Sequence, residues 1–61
     1  MTITFTSPQA LVIGGNNTTL TELKATEIKV VTEISRKQEV YFLEIDGEIR
    51  VRIENVKSIV R

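Results

Sequence analysis

The chain has 61 residues, with eight lysines and arginines balanced by eight aspartates and glutamates, and it contains neither cysteine nor histidine. This composition excludes a disulfide framework and a thiolate metal site, and it removes the commonest metal ligand and general base. The neutral balance argues against an obligate nucleic-acid binder, which usually carries a net basic surface. A domain this small buries only about 60% of its unfolded surface, so we expect a homo-oligomer.

No segment of the sequence suggests export or membrane insertion. The N-terminus lacks the basic region of a secretory signal, and the apolar run at residues 10–13 is too short for its hydrophobic region. No stretch approaches the roughly 20 apolar residues of a membrane span. The sequence therefore predicts a soluble, cytoplasmic protein, and the lack of cysteine fits a reducing compartment.

The first predicted element is a short strand at residues 2–6, where threonine alternates with apolar side chains. The alternation places Ile3 and Phe5 on the inward face. Proline donates no backbone hydrogen bond, so this strand should end at Pro8 or lie at the edge of a sheet. A second short strand is predicted at residues 10–13.

Residues 14–17, Gly-Gly-Asn-Asn, predict a turn because both residue types tolerate positive φ angles. Residues 18–35 then fit two interpretations. Their β-branched side chains favour one long strand, bent by a bulge between Ala25 and Ile28 that brings all its apolar side chains to one face. The alternative is a short helix at residues 20–25, supported by a threonine and a glutamate with capping-box spacing.

The strongest pattern is a hairpin, in which two β-prone runs flank Asp46-Gly47, a pair typical of two-residue type I′ turns. A turn centred on this pair would place Phe42 directly across the hairpin from Val51. The register predicts a core face composed of Val40, Phe42, Ile49, Val51 and Ile53. It predicts a mixed face composed of Tyr41, Leu43, Ile45, Glu48, Arg50 and Arg52. A three-residue loop with a bulge at Gly47 is the alternative and would shift the pairing by one residue.

The remaining segments complete an all-β pattern. Residues 35–38 predict a polar turn, and residues 54–57 interrupt the alternation before a final strand at residues 58–60 that closes across the first strand. The predicted fold is a single small β domain of residues 1–61. Five or six short antiparallel strands form a meander, curled into an open barrel or a two-layer sheet, and the alternative is an α+β fold with the helix described above.

Catalysis has little support in the sequence. A serine nucleophile needs a neighbouring base, and no histidine is present. Glu44, Asp46 and Glu48 cluster at the hairpin tip, where a solvated turn is the simplest interpretation. The turn at residues 14–17 lacks the lysine of a phosphate-binding loop. We therefore predict no enzymatic activity, no cofactor and no metal site.

Two surfaces could instead bind a partner protein. Residues 1–21 carry no charge, and an uncharged edge strand pairs readily with another chain. On the mixed face, arginine stems could simply shield the apolar side chains, or the face could dock a second subunit. The candidate interface residues are Ile3, Phe5, Leu11, Ile13, Tyr41, Leu43, Ile45, Arg50 and Arg52.

These observations favour a non-enzymatic interaction or assembly module that self-associates, of the size of a small bacterial or phage accessory protein. One alternative is a small barrel that binds single-stranded nucleic acid by stacking and backbone contacts. Its candidate residues are Tyr41, Arg50, Arg52, Arg36 and Lys37. A second alternative is a small inhibitor that pairs its edge strand with a partner protein.

Overall fold

The computed structural model describes residues 1–61 and contains six strands and one short 3₁₀ turn. The elements are β1 (Thr2–Ile13), β2 (Asn16–Lys24), β3 (Ile28–Ser35), β4 (Gln38–Ile45), β5 (Ile49–Arg52), the 3₁₀ turn (Ile53–Asn55) and β6 (Val56–Val60). Antiparallel pairing builds two three-stranded sheets, ordered β2-β1-β6 and β3-β4-β5. The all-β prediction is confirmed as an open two-layer arrangement, without a closed barrel. No helix forms at residues 20–25.

Strand β1 does not end at Pro8, contrary to the sequence prediction. It continues to Ile13 as the central strand of its sheet. Its pairing with β2 shifts register between Thr4 and Gln9, and Pro8 lies within that irregular stretch. Because the proline has no facing partner on β2, its missing N–H removes no hydrogen bond from that ladder.

The long bent strand predicted for residues 18–35 is two strands in different sheets. A three-residue corner, rather than a bulge, separates the end of β2 at Lys24 from the start of β3 at Ile28. The corner is held by the buried Ala25, which exchanges two hydrogen bonds of 2.8 Å with the N-terminal amine and the carbonyl of Met1. These bonds tie the corner to the N-terminus, where the chain passes from the first sheet to the second.

The register of the β4–β5 hairpin differs from the one the sequence favoured. Residues 46–48 form a three-residue loop, so Leu43 faces Val51 and Phe42 faces Arg52. The two-residue turn prediction was wrong, and the three-residue alternative is the one observed. The shift exchanges the partners on both faces of β5, because side chains alternate between faces along each strand.

One core cluster lies between the sheets, and both contribute to it. Its buried members are Ile3, Phe5, Leu11, Ala25, Leu43, Ile45, Ile49 and Val51. The inward orientation predicted for Ile3 and Phe5 is confirmed. Of the predicted hairpin core, however, Val40 and Phe42 are only half-buried and Ile53 is exposed.

The last strand pairs with the first, as the sequence predicted. Strand β6 follows the 3₁₀ turn and runs antiparallel to β1, with Val56 beside Phe5 and Ile59 beside Ile3. Val56 is half-buried and packs against the core.

A bilayer-spanning helix would need length and apolarity that no helical segment of this chain has.

Candidate interaction site at the β3 edge

Most of the predicted interface residues are packed inside the chain itself. Ile3, Phe5, Leu11, Leu43 and Ile45 are buried in the core cluster. Ile13 is half-buried and packs against the same cluster. The remaining predicted interface residues, Tyr41, Arg50 and Arg52, are exposed. The buried side chains serve to join the two sheets, so a surface for a partner has to be sought elsewhere.

The structure separates the residues predicted to bind nucleic acid. On β4, Tyr41 lies on the same face of the sheet as the core residue Leu43. On β5, Arg50 and Arg52 lie on the opposite face. Arg50 pairs with Glu33 and lies 3.3 Å from Glu44, while Arg52 lies 3.2 Å from Glu54.

The other two predicted cations, Arg36 and Lys37, form the β3–β4 turn. Tyr41 and Arg52 both line a cleft of about 350 Å³ at the end of β5, but Glu39 and Glu54 line it as well. The arginines of β5 are therefore engaged with carboxylates, and the cleft carries acidic side chains unfavourable to a phosphate backbone.

The three carboxylates of the predicted hairpin tip have separate structural roles. Glu44 lies on the outer face within 3.9 Å of Lys29 and 3.3 Å of Arg50. The carboxylate of Asp46 accepts hydrogen bonds from backbone N–H groups of the β2–β3 corner. Glu48 accepts one from the N–H of Gly14, at 3.3 Å. The three carboxylates therefore act in different places: Glu44 pairs with cations of its own sheet, Asp46 holds the β2–β3 corner, and Glu48 contacts the β1–β2 turn.

Each three-stranded sheet has two outer strands, and β3 is one of the four because it pairs only with β4. Ser35 and Gln38 flank the two-residue turn at residues 36–37, and such flanking residues exchange both of their backbone hydrogen bonds. Hydrogen-bonded and non-hydrogen-bonded pairs alternate along an antiparallel ladder, so the odd-numbered residues of β3 form their backbone hydrogen bonds with β4. The N–H and C=O groups directed to the free edge are those of Ile28, Val30, Thr32 and Ile34.

Exposed apolar side chains lie along this same edge. Val30 is 59% exposed and Ile34 is 78% exposed, although both lie on the face of the sheet that carries the core residue Leu43. The first sheet therefore leaves much of this part of β3 uncovered. Sequence reasoning did not name these two residues as candidate interface residues, although the alternation from Ile28 to Ile34 was the available signal.

Charged residues on the opposite face of β3 alternate with the strand's apolar residues. Lys29 and Glu33 lie on either side of the half-buried Val31. Lys29 is well exposed, and its Nζ is 3.9 Å from the nearest carboxylate oxygen of Glu44, a long distance for an ion pair. Glu33 pairs more closely with Arg50. Charges on an edge strand usually discourage contact with other chains, unless the approaching strand presents the opposite charge at each position.

The phenol of Tyr41 lies against a carboxylate that affects its titration. Its hydroxyl donates a 2.7 Å hydrogen bond to Oε2 of Glu39. This bond, followed by a smaller effect of desolvation, raises the pKa of the phenol above its usual value of 10.0. The pair lines the cleft at the end of β5.

Comparison with known proteins gives no further indication of function. No family model matches the chain, and no curated protein and no solved structure matches it with statistical significance.

Proposed function

We propose that this chain is a non-enzymatic interaction module that self-associates, and that the free edge of β3 is its contact element. The observation that carries the proposal is the coincidence of an unpaired strand edge with two largely exposed apolar side chains, Val30 and Ile34. An added strand would satisfy the open backbone groups and cover these side chains together.

The energetics support weak self-association. Complete burial of an exposed valine or isoleucine contributes about 1.5–3 kcal/mol, and two copies would each contribute such residues. Association costs at least about 4 kcal/mol in lost translational and rotational freedom. A contact between single strands is also smaller than a standard stable interface. The most favourable balance of these terms is about 8 kcal/mol, which corresponds to a dissociation constant of about 1 µM, so we expect self-association at micromolar concentrations or above.

A matched pair of substitutions tests the contact element. Val30→Lys places a charge on the free edge, whereas Val12→Lys changes a valine of almost equal exposure, 60%, on β1. Light scattering over a dilution series should give a mass that rises with concentration for the original chain and for Val12→Lys. We expect at least tenfold weaker association for Val30→Lys, because a lysine would have to be desolvated in the contact.

Circular dichroism of each variant checks that the β structure is retained. A monomeric mass for the original chain at every concentration would overturn the proposal of self-association. Equal weakening by both substitutions would remove β3 as the contact element.

A further inference from the structure

We infer that the occupant of the β3 edge is β3 of a second copy, antiparallel to the first, with a two-fold axis at Val31. This inference rests on the proposed self-association and specifies its geometry. Residues 28–34 read Ile-Lys-Val-Val-Thr-Glu-Ile. When two copies of this segment run antiparallel, apolar residues face apolar residues or threonine, and lysine faces glutamate. A two-fold contact requires such self-complementarity.

The hydrogen-bonding pattern restricts the possible registers. Only the even-numbered residues of β3 direct backbone groups to the free edge, so even-numbered residues must face each other in pairs. An axis at Val31 pairs Val30 with Thr32 of the partner subunit and Ile28 with Ile34 of the partner subunit. Axes one residue away, at Val30 or at Thr32, also satisfy the backbone, so the side chains decide among the three.

The charges favour the axis at Val31. In that register Lys29 faces Glu33 of the partner subunit, and the symmetry repeats this ion pair. An axis at Thr32 would place Val31 opposite Glu33 of the partner subunit, and an axis at Val30 would place Lys29 opposite Val31 of the partner subunit. Both alternatives lose the two ion pairs and set a charge against a valine, which is unfavourable.

The existing sheet extends this complementarity across further strands. Within one chain, Lys29 faces Glu44 and Glu44 faces Arg50. Adding Glu33 of the partner subunit beside Lys29 gives a row of four residues whose charges alternate in sign. The neighbouring row continues through Val31, Phe42 and Arg52, and at the axis it places Val31 against Val31 of the partner subunit.

The same register covers the exposed apolar residues on the other face. Ile34, 78% exposed in the single chain, would face Ile28 of the partner subunit. Val30 would face the methyl group of Thr32 of the partner subunit. The two copies would thus form one continuous six-stranded sheet, ordered β5-β4-β3-β3-β4-β5, which leaves neither β3 edge open.

Charge reversal tests the ion pairs. Lys29→Glu alone and Glu33→Lys alone each place two like-charged pairs across the axis, so each should weaken self-association at least tenfold. Mixing these two variants should restore association as a heterodimer, because every pair across the axis then has opposite charges. The double variant Lys29→Glu/Glu33→Lys also has opposite charges across the axis but places like charges beside Glu44 and Arg50 of its own chain, so it should self-associate more tightly than either single variant and less tightly than the original chain.

A cysteine cross-link tests the position of the axis. Residues that face each other in a non-hydrogen-bonded pair have Cα atoms about 4.5 Å apart, within disulfide range. The chain has no cysteine, so Val31→Cys should give a disulfide-linked dimer on mild oxidation. Ile34→Cys is the control, because its two copies would lie about 20 Å apart along the strands.

The outcomes separate this inference from the proposal beneath it. A concentration-independent monomer would overturn self-association and the register together. Association of the original chain, with no cross-link at Val31→Cys and no heterodimer from the charge-reversed variants, would overturn the register and leave self-association standing. Circular dichroism identifies any variant that fails to fold, and the cross-link then decides the register independently of the charge substitutions.

Discussion

At the scale of single residues, Asp46 links the β4–β5 loop to the β2–β3 corner, where the chain passes from one sheet to the other. Its carboxylate Oδ1 accepts hydrogen bonds from the N–H groups of Thr26 at 3.0 Å and Glu27 at 2.7 Å. Its own N–H donates to the carbonyl oxygen of Glu27 at 2.8 Å. The residue also has a positive φ of 52°, a conformation that aspartate and asparagine tolerate better than most residues.

We expect Asp46→Ala to lower the free energy of unfolding by about 1–3 kcal/mol, because two backbone donors lose their acceptor and alanine is strained at this φ. Asp46→Asn keeps an acceptor oxygen and the tolerance of positive φ, so it should cost less than half as much. Urea unfolding measures both values. Equal stability of the alanine variant and the original chain would contradict the linking role.

A second prediction at this scale concerns Tyr41, the only tyrosine in a chain without tryptophan. Its absorbance near 295 nm should titrate above pH 10.0, because the Glu39 carboxylate and, to a lesser extent, desolvation raise its pKa. Since a raised pKa favours the protonated folded state, this contribution to stability is full below pH 10.0 and is lost as pH rises through the folded-state pKa.

Glu39→Ala is the control for this titration. It removes the carboxylate that accepts the hydroxyl hydrogen bond, so the midpoint should move back toward 10.0. An unchanged midpoint in this variant would show that the carboxylate does not cause the shift.

At the scale of elements, the β3–β4 turn combines favourable geometry with unfavourable residues. Arg36 and Lys37 have φ angles of 51° and 64°, as the type I′ turn of a two-residue hairpin requires. Replacing them with Asn-Gly should raise the free energy of unfolding by about 1 kcal/mol, because both residues tolerate this conformation. For a domain of this size the thermal midpoint should rise by about 4–8 °C.

The opposite change at another turn is the control. Gly47 has a φ of 66°, and a Cβ placed there would meet no atom within 4 Å. Gly47→Ala should therefore lower the midpoint through backbone strain alone. If the Asn-Gly replacement left the midpoint unchanged, the positive φ angles of Arg36 and Lys37 would not be costly in this turn.

At the scale of the whole molecule, the central question is how a chain with a core of eight buried residues maintains its fold. Several large apolar side chains stay exposed, among them Val30 and Ile34. If association through β3 stabilises the folded state, the thermal midpoint should rise with protein concentration, because a ligand that binds only the folded chain shifts the equilibrium toward it.

Differential scanning fluorimetry from about 1 to 500 µM, a range that begins at the tightest dissociation constant expected, measures this dependence. The midpoint of Val30→Lys should be nearly independent of concentration, while Val12→Lys should follow the original chain. A concentration-independent midpoint in all three would mean that association contributes nothing to folding.

Much of the secondary structure was predictable because it depends on local chemistry. Gly14 and Gly15 have φ angles of 58° and 81° and form the predicted turn, although Asn16 and Asn17, which the prediction placed in the same turn, begin β2. The strand character of residues 28–35 followed from β-branched alternation, and closure of β6 on β1 was also anticipated. The candidate site was harder to predict, because exposure of Val30 and Ile34 depends on how far the first sheet reaches over β3.

Local residue preferences were enough to predict antiparallel strands and several of their turns, since glycine tolerates positive φ angles and β-branched residues favour extended backbone. Which side of β4 is core depended on tertiary packing. Both sides of β4 carry apolar residues, Val40 and Phe42 on one and Leu43 and Ile45 on the other. The observed three-residue loop aligns Leu43 and Ile45 with the apolar side of β5, and packing against the first sheet buries that combined set.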